Sequence, residues 1–180
     1  FKSMWLTEKS NSTWFPELRV IVEVMFRKML FLAALIFSFS TFAIAACPNG
    51  SHPIPTSLGS SYRCLVMVPI VSTFNQANAA CVDAGGSLMP IPNAFVNTFL
   101  GGLIDEADVE YCNFWIGVDN IDDGVWRNID DGKPAKFFNW APGHPVNASY
   151  QQCAYIKGDG LWRSTFLYDT ICHFCGVPKI

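Results

Sequence analysis

Between residues 72 and 103 the apolar positions fall three and four apart, and beyond residue 113 they bunch into short runs separated by turns. The first pattern predicts two helices. One passes through Phe74, Ala77, Ala80, Cys81 and Ala84, with Ser72 or Thr73 as its cap and Gly85-Gly86 as its stop. The other starts at Pro92-Asn93 and places Val96, Phe99, Leu100 and Leu103 on one face, before an acidic loop from Asp105 to Asn113. The second pattern predicts strands. Phe114-Trp115-Ile116-Gly117-Val118 reads as a buried run, followed by Val125 to Asn128 and Phe137 to Trp140 between Asp-rich turns. Cys153 to Lys157 and Leu161 to Ser164 flank Gly158-Asp159-Gly160, a hairpin signal, and a last strand covers Ile171 to Val177. Ahead of the helices, residues 47–71 are rich in Pro, Gly and Ser, with Cys64 to Val68 as an extended run. Two helices followed by short strands and long loops define an α+β domain.

The pattern differs before residue 47. Arg27 and Lys28 precede a stretch from Met29 to Phe42 that is apolar apart from Ser38, Ser40 and Thr41, and Ala43-Ile44-Ala45 follows. A basic start, an apolar middle and small residues at the end are the marks of a secretory signal peptide, here residues 25–46. Residues 1–24 are then an N-terminal extension outside the mature protein, and 47–180 is the exported domain. The alternative is an uncleaved signal-anchor, since the apolar stretch approaches the ~20 residues of a spanning helix.

Composition narrows the function. The 180 residues are 51% hydrophobic and 15% charged, and the net charge of −3 excludes nucleic acid or an anionic membrane surface as an obvious partner. Seven Cys, six Trp and fifteen Phe describe a small cross-linked domain with an aromatic core. In an exported chain the cysteines are read first as disulfides. Trp115 and Trp162, among apolar neighbours, are core residues, and Gly117 inside its run allows close backbone approach.

Five pieces, in order, resemble the C-type lectin-like domain family: Cys64; the helix with Cys81 followed by GGSLMPI; FWIGV at 114–118; NWAPGHP at 139–145; and Cys153 with Trp162 and Cys175. The resemblance covers nearly all of 47–180 and implies a fold of two helices, short antiparallel sheets and a long-loop region. It also implies bridges Cys81–Cys175 and Cys47–Cys64. The family partner of Cys153 falls at Leu167, so Cys172 is taken as the substitute, giving Cys153–Cys172, with Cys112 as the competitor. Cys112 is then the unpaired thiol of an odd set.

Family members that hold sugar through calcium do so with oxygen ligands around a cis-proline. The matching positions here are His144, Val146, Gln151 or Gln152, Arg163 and Ser164. None is a carboxylate, whereas Ca²⁺ takes six to eight oxygens, several of them charged. Asn147 replaces Val146 if the loop slips by one residue, which recovers a single neutral ligand. Calcium is therefore not expected at the usual site. The residues Asp119, Asp122, Asp123, Asp130 and Asp131 read as turn formers ahead of a second ion cluster.

No assembled catalytic constellation appears. Cys172-His173-Phe174-Cys175 with His144 has the elements of a zinc or redox site, but in an exported chain disulfides take precedence. Asn49 and Asn147 head glycosylation sequons. The expected function is a secreted, calcium-independent binding module for a glycan or protein ligand, not an enzyme and without a cofactor. Trp140, His144, Asn147, Tyr150, Gln152 and Ser164 are the ligand-binding candidates. The alternatives are a membrane-anchored receptor and a structural protein in which Cys112 links two chains as a homodimer.

Overall fold

The computed structural model describes residues 24–29, 46–107, 109, 112–146 and 152–178. Residues 24–29 are helical and belong to a first unit, Phe1–Ile44; the folded domain is the second, Ala45–Ile180. The extension at 1–24 and the signal segment at 25–46 lie almost wholly outside the described residues. Among those described, no helix is long and apolar enough to cross a membrane.

The domain begins with β1 (His52–Pro53), a 3-10 turn at Thr56–Leu58 and β2 (Cys64–Ser72). There follow α1 (Phe74–Asp83), β3 (Ser87–Leu88), α2 (Ala94–Glu106), β4 (Phe114–Asp119), β5 (Arg127–Asn128), β6 (Gln152–Ile156), β7 (Trp162–Phe166) and β8 (Ile171–Val177). The strands form one sheet in the order β1-β2-β8-β4-β6-β7, with β3 added to β8 and β5 to β4. Pairing is antiparallel except between β4 and β8, which run parallel.

Local chemistry sets the helix starts. Thr73 Oγ1 accepts from Gln76 N at 3.4 Å while Thr73 N donates to Gln76 Oε1 at 3.1 Å, a reciprocal cap. Ser72, the other sequence candidate, is the last residue of β2. Asn93 Oδ1 accepts from Phe95 N and Val96 N, both at 3.0 Å, the pairing that makes Asn a favoured cap.

Alternation along the strands sorts the core onto two faces. Phe114, Ile116 and Val118 join Val96 and Leu100 of α2, with Trp162 and Phe174. Trp115 points the other way, among Phe74, Ala77 and Cys81 of α1, and meets Phe74 edge-on at 5.5 Å. Its indole Nε1 donates to Ser72 O at 2.9 Å, so burial leaves no orphaned donor. Gly117 sits where a side chain has no room: a Cβ there would lie 2.3 Å from Leu88 O. The backbone uses that closeness, because Gly117 N donates to Met89 O at 2.8 Å.

Strand order overturns one expected bridge. Cys47–Cys64 and Cys81–Cys175 are formed, but the third disulfide is Cys112–Cys172, and Cys153 is the free, fully buried thiol. Parallel pairing sets Phe114 opposite Cys172, which brings Cys112, two residues earlier, alongside it. Cys153 on β6 lies opposite Asp119, at the far end of β4. With β4 interposed, Cys153 and Cys172 are roughly 10 Å apart across the sheet and roughly 17 Å along it, beyond any disulfide's reach. Leu167, at the family's usual partner position, packs against the cluster that contains Cys153. Cys112 is thus spent within the chain, which removes the expected interchain link.

Candidate functional site

The segment 139–146 is laid along β7 by alternating hydrogen bonds. Trp162 N donates to Asn139 O and Ala141 N donates to Trp162 O, both at 2.8 Å, making a single parallel bridge between Trp140 and Trp162. Two residues further along β7 the pattern passes to side chains. Ser164 N donates to His144 Nδ1 at 3.0 Å, and Val146 N donates to Ser164 Oγ at 2.8 Å. The turn between these anchors closes through His144 N to Ala141 O at 2.9 Å, with Gly143 at φ 81°. The His144–Pro145 bond is cis.

Beneath this segment Trp162 is fully buried, and its indole Nε1 donates to Asn97 Oδ1 at 2.6 Å. Asn97 Nδ2 donates to Gly160 O at 2.9 Å, and Asn139 Nδ2 reaches the same carbonyl at 2.8 Å. One carbonyl in the β6–β7 turn therefore ties α2 and the long loop together. The periodic pattern gave no sign of Asn97, because it is a polar residue at a buried helix position.

Because Nδ1 of His144 accepts a backbone N–H, a neutral ring carries its proton on Nε2. Burial pulls the imidazole pKa below its ordinary value, and the Arg163 charge adds to this. Arg163 is itself held by Asp159, with Nη2 to Oδ2 at 2.7 Å. The ring is thus neutral at pH 7 and has one hydrogen-bond donor left to offer.

Above the buried Trp162 the loop presents aromatic surface. Trp140 is half-buried, with Trp126 at 4.8 Å and Phe138 stacked on it at 6.0 Å and 15°. Phe138 is 40% exposed, while Phe137 turns inward against Trp162 at 5.7 Å. The alternation in Phe137-Phe138-Asn139-Trp140 was the available signal for Phe138; Trp126 had none.

The other predicted residues divide. Gln152 is 3% exposed and Ser164 5%, with the Ser164 hydroxyl already accepting from Val146, so neither offers a free group to an outside ligand. Asn147 and Tyr150 lie outside the described residues. Asn49 is exposed in a turn, open to modification. The acidic residues make turns: Asp119, Asp123, Asp131 and Asp159 each accept from the backbone N–H two residues ahead, at 2.9–3.1 Å. Asp123 and Asp131 also pair with Arg127 and Lys133. Cys81, His173 and Cys175 cluster within 4.8 Å, but both sulfurs are consumed by their mutual bond. The Cys153 thiol is held protonated by burial, with the Asp119 charge pushing its pKa the same way, so it is inert as a nucleophile.

A sheet with one helix on each face and a loop region packed over β7 defines a lectin-like α+β binding domain. Residues 70–174 match the family model described as the lectin C-type domain. This chain belongs to that family. It is 23% identical over 131 residues to the perlucin-like protein of Mytilus galloprovincialis, spanning 71% of this chain and 84% of that one. It is 33% identical over 95 residues to the mouse low affinity immunoglobulin epsilon Fc receptor, but those are 51% of this chain and only 26% of the receptor. The carbohydrate-recognition domain of the mouse scavenger receptor C-type lectin superposes with a TM-score of 0.64 at 19% identity, over 75% of this chain and all of that one.

Proposed function

We propose that this chain is a secreted binding module that takes a glycan or protein ligand on its long-loop face without calcium. The observation that carries the reading is the donor set along β7. At the positions that resemblance assigns to the family's ion ligands stand His144, Val146, Gln152, Arg163 and Ser164. Ser164 Oγ is occupied by Val146 N, Gln152 is buried, and Arg163 brings a positive charge paired to Asp159. A hard dication that needs several charged oxygens finds none in this set.

What the face offers instead is stacking and neutral hydrogen bonding. Trp126, Phe138 and Trp140 form an aromatic platform, and His144 Nε2–H is a donor at its border. Apolar C–H faces of a sugar ring, or an aromatic or aliphatic side chain of a protein, suit such a surface. Asn147 and Tyr150 are proposed to complete it. Export is proposed from the apolar segment Met29 to Ala46, with exported material starting at Ala46 or Cys47.

The test is a glycan array with the intact protein, read with and without chelator. Binding that is unchanged by chelator and falls about tenfold in Trp140→Ala supports the reading. Binding abolished by chelator and restored by Ca²⁺ overturns it.

A further inference from the structure

On the face opposite the long loop, a groove of about 250 Å³ opens between α1 and the β2–β8 pair. Register explains the opening. Val66 and Val68 lie opposite Cys175 and His173, so their side chains share one face of the sheet with Ile70. Over them pass Ala80 and Ala84, four apart on the exposed flank of α1. Alanine side chains are too short to close the gap to the strands.

The floor of this groove holds an unmatched polar atom. His173 is 3% exposed, and its Nδ1 lies 3.3 Å from Ser72 Oγ. Its Nε2 is buried with no hydrogen-bond partner among the described residues. An orphaned nitrogen of this kind carries a desolvation penalty that a matching group would remove.

From the groove and this nitrogen we infer a second binding site, for a small neutral molecule with an apolar ring and a single hydroxyl. Three features select that chemistry. An apolar cavity of about 150 Å³ takes benzene, so this one admits a substituted ring. No lining residue among those described carries a formal charge, so a carboxylate or ammonium would be buried unpaired at prohibitive cost. A hydroxyl both donates and accepts, so it satisfies Nε2 in either tautomer. Burial also lowers the His173 pKa, keeping the ring neutral and matched to a neutral guest.

The probe pair is p-cresol and its hydroxyl-free isostere p-xylene, titrated into the full chain by methyl-detected NMR. Saturating shifts at the Ala80 and Ala84 methyls are expected, with p-cresol bound about tenfold more tightly. His173→Phe should bring the two affinities together. Ala80→Leu, at an exposed helix position that tolerates size, should abolish both. Equal affinities in the unmodified protein, no saturation at the groove methyls, or binding unchanged by Ala80→Leu each overturn the proposal.

Discussion

Asn97→Ala tests whether one buried amide organises the long-loop face. Asn97 is 5% exposed, accepts from Trp162 Nε1 at 2.6 Å and donates to Gly160 O at 2.9 Å. Truncation removes two hydrogen bonds, each worth about 1 kcal/mol net. It also strands the indole N–H in the core, which adds about 1–3 kcal/mol, partly relieved if water enters. Gly160 O is not orphaned, because Asn139 Nδ2 still reaches it at 2.8 Å. The expected loss is roughly 2–4 kcal/mol, a fall in Tm of about 10 °C. Urea unfolding with the disulfides intact measures it. A cycle with Trp162→Phe isolates the bond, since the smaller ring leaves a similar gap in both backgrounds and that term cancels. Coupling of roughly 1–2 kcal/mol is expected. Coupling within about 0.3 kcal/mol of zero would refute the reasoning, because it would mean that the indole finds an equal partner elsewhere. Ligand binding at low temperature should survive Asn97→Ala, because the Asn139 tether remains, and weaken in Asn139→Ala, which releases the loop itself.

Peptide mapping under non-reducing conditions should recover Cys112 linked to Cys172, with Cys153 alkylated only in denaturant; a Cys153-containing bridge would overturn the strand order argued here. Replacing Cys112 and Cys172 together with Ser opens a bridge spanning 60 residues and should lower stability by roughly 4 kcal/mol in urea unfolding. Gly117→Ala places a Cβ 2.3 Å from a backbone carbonyl and should cost at least about 3 kcal/mol or prevent folding, whereas normal yield and unaltered Tm would count against the packing described. Burial lowers the folded-state pKa of His173 and His144 below the ordinary 6.5, so the unfolded chain binds protons first. Their contribution is complete above pH 6.5 and is lost as pH falls through the folded values; the urea midpoint should drop on acidification below pH 6.5, and less steeply in His173→Gln.

Local features were readable from the chain alone. Helix spacing, the caps at Thr73 and Asn93 and the buried run at 114–118 depend on neighbours within a few residues, which is the range over which periodicity and capping act. The same range explains the acidic residues, whose turns are closed two residues away. The family resemblance added strand content and the positions of the missing ion ligands. Tertiary structure decided the rest. Whether Cys172 meets Cys112 or Cys153 depends on β4 lying between β8 and β6, a pairing of segments some sixty residues apart that no local pattern encodes. The exposure of Phe138, the use of Asn97 as a buried tether and the orphaned His173 nitrogen arise from the same source. Each is set by what packs opposite, and a side chain's own neighbours in sequence carry no record of that contact.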